Sequence, residues 1–161
     1  QGRNAVFLAA RGHAVTAVDR STVGLEAARR LAAERGVTLD TVAADLSIWD
    51  PGLDRWDAVV STFAHMPPDG RAALHRRLVT ALRPGGVLIL EAYSKHQLDY
   101  GSGGPPEAEL LMSLADLRDE LSGLEFEVAA EREREVVEGD RHTGLAHVVQ
   151  ILARRPGPSA A

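Results

Sequence analysis

Strand-like and helix-like runs alternate along most of the chain, and this alternation constrains its fold more than any other feature. The strand-like runs are His13–Asp19, Val37–Leu46, Trp56–His65 and Val87–Tyr93. The helix-like runs are Ala5–Gly12, Ser21–Gly36 and the segment that carries Leu74, Leu78 and Leu82. Such alternation is typical of a sheet with helices on both faces. The sequence therefore predicts an α/β fold with a doubly wound, mostly parallel sheet, whose strand Trp56–His65 is covered on both faces.

The last part of the chain has a different pattern. Two β-like runs flank the segment EGDRHTG, which predicts an antiparallel hairpin. Charged residues dominate Arg132–Val137, as at an exposed sheet edge, whereas Ala146–Ala153 is apolar and is expected to be buried. We expect residues 1–155 to form a single domain and residues 156–161 to form a disordered tail.

Turn and cap signals mark the segments between these elements. Arg83-Pro84-Gly85-Gly86 predicts a hard stop and a turn before the strand Val87–Tyr93. The glycine- and proline-rich run SKHQLDYGSGGPP predicts a long loop, of the kind that is functional or mobile. Ser113 with Asp116 three residues later resembles a capping box, so a helix is expected to begin there and to end at Gly123.

Composition narrows the classes of function. The net charge is −5, which gives no broad basic field for nucleic acid. There is no cysteine, which excludes disulfides, cysteine metal sites and a cysteine nucleophile. No apolar run approaches the roughly 20 residues of a membrane span, and the six histidines show no metal-binding spacing. We expect a cytoplasmic protein that acts on a small molecule and contains no structural metal. We expect neither nucleic acid nor a membrane as its partner.

Three residues are predicted to share one edge of the sheet. Gly2 precedes a helix, and the N–H groups at a helix start suit an anionic group. Asp19 and Asp45 end two successive strand-like runs, and parallel sheets bind ligands at the carboxyl ends of their strands. A carboxylate at the position of Asp19 is suited to ribose hydroxyls, and one at Asp45 to an adenine amino group. Each aspartate alone is also compatible with a helix cap or a solvated turn.

The segment GRNAVFLAARGHAVTAVDRS resembles the first nucleotide-binding motif and second strand of class I S-adenosylmethionine-dependent methyltransferases. AADL, DAVVSTFAH, LRPGGVLILEAY and GLAHVVQILAR match the same family in order. The nearest resemblance is to the small bacterial branch similar to the tellurite-resistance methyltransferase. It implies a Rossmann-like sheet of seven strands with an antiparallel final hairpin. In that branch a first strand runs into a D-x-G-x-G-x-G-R-N turn, so we expect this strand to precede Gln1 and to be missing from the sequence.

The resemblance also implies S-adenosylmethionine as cofactor and assigns roles to residues. Gly2 would let the backbone approach the methionine part. Asp19 would hold the ribose hydroxyls, and Arg20 would lie along the adenine. The remaining assignments place Asp45 and Leu46 at the adenine amino group and ring, and Ser61, Thr62 and Phe63 beside the methionine and the sulfonium.

Residues near the same edge are candidates for the acceptor pocket. His65 follows a strand and is a candidate catalytic base or orienting donor, or it hydrogen-bonds a loop. The other candidates are Tyr93, Tyr100 and His142, each of which also fits an ordinary sheet, surface or turn position. His13 and His147 are interpreted as structural, and His75 and His96 as surface residues.

Two other functions remain open at this point. A nicotinamide-dependent Rossmann oxidoreductase shares the order of glycine and acid, although a final antiparallel hairpin argues against it. A non-catalytic cofactor-binding module is the second alternative. The leading hypothesis is in-line methyl transfer to a small acceptor such as a thiol, a chalcogen oxyanion or an amine.

Overall fold

Residues 2–137 and 143–157 are described by a computed structural model. The chain divides into two compact units, Gln1–Trp49 and Asp50–Ala161. The single domain 1–155 stays a prediction. Residues 158–161 of the expected tail lie outside the described residues.

The first unit is a short β-α-β arrangement preceded by a helix. Its elements are α1 (Arg3–Ala9), β1 (Thr16–Asp19), α2 (Thr22–Glu34) and β2 (Asp40–Ala43). β1 and β2 pair in parallel, with Thr16 opposite Asp40 and Asp19 opposite Ala43. Both strands are shorter than predicted, and β2 ends two residues before Asp45.

Helix α2 begins and packs as its sequence predicts. The Ser21 side chain accepts a hydrogen bond from the Gly24 N–H at 3.0 Å, which caps the helix start. Leu25, Ala28 and Ala32 form its buried stripe. Gly2 has a positive φ of 79°, and a Cβ there would lie 2.3 Å from the Ala28 Cβ. The close approach of the chain to α2 therefore requires glycine at position 2.

The second unit holds the larger sheet. Its elements are β3 (Trp56–Thr62), α3 (Pro68–Ala81), β4 (Leu82–Tyr93), α4 (Leu114–Glu120), β5 (Glu125–Val137) and β6 (Thr143–Arg154). Short 3-10 helices cover Lys95–Asp99 and Ala108–Leu110. The strand order is β3-β4-β6-β5, in which β3 and β4 are parallel while β6 is antiparallel to both β4 and β5.

The prediction of a stop and a turn at Arg83–Gly86 is wrong. β4 begins at Leu82, directly after α3, and these residues belong to the strand. Trp56 pairs with Leu82 and Ala58 with Val87, so two steps along β3 correspond to five along β4. The surplus residues form a bulge, with Gly85 at a φ of 82°.

One face of the four-stranded sheet is buried and the other is partly open. Leu88, Leu90 and Ala92 of β4 are buried, and α3 and α4 lie against β4 and β5 respectively. On the other face Val60 is 39% and Ile89 is 43% exposed, although they are register partners in neighbouring strands. The apolar sequence of Trp56–His65 predicts a strand that is covered on both faces of the sheet, but at Val60 one face is partly exposed.

The observed strands confirm the α/β class and the antiparallel final hairpin. β5 lies at an edge of its sheet and β6 inside it, as the charge pattern predicted. Among the described residues two strand pairings are parallel and two are antiparallel, so the four-stranded sheet is mixed and does not match the expected mostly parallel sheet. The seven-stranded sheet stays a prediction.

Candidate functional site

Two exposed aspartates lie close together at the carboxyl ends of β1 and β2. The Asp19 carbonyl accepts a hydrogen bond from the Ala44 N–H at 3.1 Å, one residue before Asp45. The Asp19 Oδ1 accepts from the Ser21 N–H at 2.8 Å. The structure therefore brings these two predicted residues to one edge of the sheet, with the Asp19 carboxylate held by the start of α2.

A turn fixes the Asp45 carboxylate. Its Oδ1 accepts from the Ser47 hydroxyl at 2.7 Å and from the Ser47 N–H at 2.9 Å. These bonds lower the pKa of Asp45 below its ordinary value, the hydroxyl having the larger effect, and the positive charge of Arg20 adds to the shift. Asp45 is therefore an ionised, exposed acceptor with Arg20 within electrostatic range. Leu46, which follows it, is half-buried.

The end of β3 carries three further predicted residues. Ser61 and Thr62 pair with Leu90 and Glu91 of β4, and Thr62 is exposed. Phe63 then adopts a left-handed backbone conformation with a φ of 52°, while its N–H donates to the Glu91 carbonyl at 2.8 Å. A non-glycine residue in this region stores strain of roughly 1 kcal/mol or more, as functional turns often do.

Both ring nitrogens of His65 are engaged. Its Nε2 accepts from the Tyr93 N–H at 3.3 Å, so its Nδ1 carries the proton and donates to the Leu110 carbonyl at 2.9 Å. Burial lowers the pKa of His65, and the positive charge of Arg71 contributes, although the bond to Leu110 opposes the shift. The histidine is neutral and joins three separate segments. A general-base role would require Nε2 to release the Tyr93 N–H.

Tyr93 is a buried residue at the end of β4. Its ring centroid lies 4.7 Å from that of Phe63 and is stacked 5.7 Å from that of His65. A Cβ on Gly104 would lie 3.0 Å from the Tyr93 ring, so the glycine-rich loop packs directly onto it. Tyr93 is 3% exposed and is packed with Leu111 in a core cluster.

Tyr100 lies beside an open pocket of about 430 Å³ lined by His96, Asp99, Tyr100, Glu133 and His147. The Tyr100 hydroxyl donates to Glu133, which raises the pKa of the phenol. His142 lies outside the described residues, so its predicted place in the acceptor pocket stays a prediction.

A buried charged cluster was missed by the sequence interpretation. Arg71 donates to the two oxygens of Glu120 at 2.7–3.1 Å, and the His75 Nδ1 lies 2.6 Å from the Glu120 Oε2. Burial opposes ionisation of Glu120, but His75 and Arg71 outweigh it and lower its pKa. The surface assignment of His75 is wrong, since it is 1% exposed. The sequence signal for the burial of His75 is helical spacing, which places it on one face of α3 with Arg71, Leu74 and Leu78.

In the part of the chain that the structure describes, no group of three or more His, Asp or Glu side chains is placed to hold a metal ion. Among the described helices, none has the length and apolar character needed to cross a membrane.

Comparison with known proteins places the chain among methyltransferases. A family model described as a methyltransferase domain matches residues 1–86. A curated relative, the 2-heptyl-1-hydroxyquinolin-4(1H)-one methyltransferase of Mycobacteroides abscessus, is 31% identical over 108 residues, which is 65% of this chain. The chain spans about half of that relative, 48% of its length.

Solved structures share the fold at lower identity. TehB of Haemophilus influenzae aligns with a TM-score of 0.75 and 18% identity, covering 96% of this chain and 54% of TehB. The 1,6-didemethyltoxoflavin-N1-methyltransferase of Burkholderia thailandensis, solved with 1,6-didemethyltoxoflavin and S-adenosylhomocysteine, aligns with a TM-score of 0.67 and 23% identity. That alignment covers 96% of this chain and 67% of the Burkholderia protein.

Proposed function

Because this chain belongs to the methyltransferase domain family, we propose that it transfers a methyl group from S-adenosylmethionine to a small-molecule acceptor. The membership confirms the predicted methyltransferase class. Neighbouring structures described as S-adenosylmethionine-dependent or solved with S-adenosylhomocysteine support S-adenosylmethionine as the cofactor. The observation that carries the proposal is a pair of exposed carboxylates: Asp19 ends β1, and Asp45 lies two residues beyond the end of the neighbouring parallel strand β2. Relatives named for small heteroaromatic substrates support a small acceptor.

The donor set of the first unit fits an adenosyl group. Asp19 has a fixed, exposed carboxylate suited to accept both ribose hydroxyls. Asp45 is ionised and suited to accept from the adenine amino group, with half-buried Leu46 offering an apolar contact to the ring. Arg20 would lie along the adenine. Gly2 is proposed to bring the backbone to the methionine part, although its packing against Ala28 is an independent reason for glycine.

Three residues at and just after the end of β3 have a proposed role in binding the cofactor. We propose that Ser61, Thr62 and Phe63 flank the methionine and the sulfonium. The cofactor would supply a methyl group on a sulfonium sulfur, whose neutral thioether is a good leaving group. The protein would then mainly align the acceptor and provide a polar environment for the sulfonium charge, which is dispersed in the transition state.

The place of a general base depends on the acceptor. A thiolate or chalcogen oxyanion needs none, whereas a neutral nitrogen or hydroxyl more often does. His65 is the candidate among the predicted residues, with its Nε2 bonded to the Tyr93 N–H. Its two bonds support the alternative that His65 hydrogen-bonds a loop, because the imidazole holds the segment at Leu110 against the ends of β3 and β4.

Several finer statements stay proposals. They are the seven-stranded sheet, the cytoplasmic location, the bacterial origin, the likeness to tellurite-resistance enzymes in substrate, and the absence of a nucleic-acid partner.

The decisive experiment measures S-adenosylmethionine binding by calorimetry in matched variants. Asp19→Ala should weaken binding more than about tenfold, because hydrogen bonds to a charged group contribute about 1.5–3 kcal/mol each. Asp40→Ala is the control, since Asp40 is also exposed but begins β2 at the opposite edge of the same sheet. Equal affinities in the two variants would remove the ribose assignment.

A second measurement separates the alternatives. Formation of S-adenosylhomocysteine with thiol, amine and chalcogen acceptors would establish transfer. Tight cofactor binding without product from any acceptor would identify a non-catalytic module, and preferential binding of a nicotinamide dinucleotide would identify an oxidoreductase.

A further inference from the structure

The pocket beside Tyr100 has walls that are fixed by buried bonds. The Ser94 Oγ and the His147 Nδ1 lie 2.6 Å apart, and Ser94 is fully buried. Gln97, 2% exposed, accepts from the His147 N–H at 2.7 Å. Its amide group donates to the Ser102 hydroxyl and to the Gly103 carbonyl, both at 2.9 Å. The segment predicted as a long loop is therefore attached to β6 by the hydrogen bonds of buried Ser94 and Gln97.

Among the described residues, the charged groups that line this pocket are carboxylates. They are Asp99 and Glu133, and no lysine or arginine of residues 2–137 or 143–157 lines the pocket. Lys95, at the start of the 3-10 helix that contains Asp99, is bonded instead to Asp116 at 2.8 Å. An anionic ligand would be repelled by both carboxylates, whereas a cation would be attracted by both.

The remaining walls are aromatic. The His96 and His147 rings meet edge to face at 5.0 Å, and the Tyr100 ring lies 6.1 Å from that of His147. The face of Tyr100 attracts cations, and all three rings can stack on a flat ring. The volume of about 430 Å³ is that of a small-ligand site.

We propose that this pocket binds an organic cation, an ammonium group on a compact aromatic body, as part of the methyl acceptor. The ammonium is a recognition group and not the methylated atom, because a protonated nitrogen has no lone pair to attack a sulfonium. Identification of the ligand as the acceptor rests on the proposed function, whereas binding of the cation to the pocket does not.

Three probes of similar shape test the charge preference. Benzylamine, benzyl alcohol and benzoate carry a positive, a neutral and a negative group on the same ring, and their binding is measured by calorimetry at neutral pH. Benzylamine should bind about tenfold more tightly than benzyl alcohol, and benzoate should bind most weakly. Equal binding of the three probes, or preference for benzoate, would overturn the proposal.

Matched variants test the location. Glu133→Gln keeps an acceptor for the Tyr100 hydroxyl but removes the charge, and should weaken benzylamine binding about threefold, as expected for an exposed charge. Asp99→Asn with Glu133→Gln should weaken it about tenfold. Glu135→Gln removes the same charge two positions along β5, outside the pocket lining, and should change affinity by less than about twofold. An effect of Glu135→Gln as large as that of Glu133→Gln would contradict binding in this pocket.

S-adenosylmethionine affinity, measured on the same samples, keeps the two proposals apart. Cofactor binding without benzylamine binding would reject the cation pocket and leave the proposed function standing. Benzylamine binding that depends on Glu133, without cofactor binding, would support the cation pocket and reject the proposed function.

Discussion

In Gln1–Trp49 the candidate carboxylates are exposed, and each is bonded to a residue two positions along the chain. In Asp50–Ala161 the candidate side chains are bonded over much longer separations: 45 positions from His65 to Leu110 and 33 from Tyr100 to Glu133. The first arrangement depends on local turns, and the second depends on the whole sheet and its loops. Substitutions in the first unit should therefore change binding with small effects on stability, whereas those in the second should change stability first.

The largest expected effect is that of Glu120→Gln in the second unit. It leaves the charge of Arg71, which is 3% exposed, without its main partner. Breaking a buried ion pair costs about 3–5 kcal/mol. Because Asp116 lies 3.9 Å from the Arg71 guanidinium and partly replaces Glu120, we expect a loss of about 3 kcal/mol. The free energy of unfolding in urea measures it.

The control for that variant is Glu127→Gln. Glu127 pairs with Arg154, but both side chains are more than 40% exposed, so the expected loss is about 0.5 kcal/mol or less. Because the pKa of Glu120 is lowered in the folded protein, its contribution should be present above its ordinary value of 4.5 and lost as the pH falls through the folded value. Equal losses in the two variants would contradict the contrast between buried and exposed pairs.

The same contrast explains what the sequence predicts well. Ser21 as a helix cap, Asp19 at a strand end and the final hairpin follow from patterns within a few residues, and the structure confirms these placements. The proximity of Asp19 to Asp45 follows from the parallel order of two adjacent strands. These features are local, so a single sequence contains the information.

Long-range bonds lack such a signal. The residues next to His65 in the sequence do not indicate that its two ring nitrogens bond to Leu110 and Tyr93. Those next to His75 do not indicate its bond to Glu120. The bulge at Arg83–Gly86 resembles a turn because proline and glycine suit both. The glycine-rich segment is predicted to be a functional or mobile loop because nothing in the sequence distinguishes Gln97 from an exposed polar residue. In the structure Gln97 is buried and attaches this segment to β6.

A smaller effect is expected for His65→Ala. It removes the partners of the Leu110 carbonyl and the Tyr93 N–H and should cost about 2 kcal/mol, since an unsatisfied buried group costs about 1–3 kcal/mol. His65→Gln keeps one donor and one acceptor and should restore part of this stability at neutral pH. Urea unfolding of the three proteins measures the difference.

The pH dependence identifies the cause. Because burial lowers the pKa of His65 in the folded protein, its contribution is present above the ordinary value of 6.5 and is lost as the pH falls toward the folded value. His65→Gln should remove this part of the acid sensitivity, whereas His13→Gln, at an exposed histidine, should not. If His65 is also the catalytic base, His65→Gln would abolish methyl transfer while cofactor binding is retained.

The smallest expected effects are those of two matched cap variants, one in each unit. The Ser21 side chain accepts from the Gly24 N–H at 3.0 Å, and the Ser113 side chain accepts from the Asp116 N–H at 3.2 Å. Replacing either serine by alanine should cost about 1 kcal/mol, and amide exchange at Gly24 or at Asp116 should become faster by the corresponding factor. A cap is a local bond, so the two values should agree although the units differ in their long-range bonds. A loss at Ser113 several times larger than at Ser21 would show that even the local bonds of the second unit are coupled to its sheet, because the Leu114 N–H beside that cap donates to Glu131 of β5 at 2.6 Å.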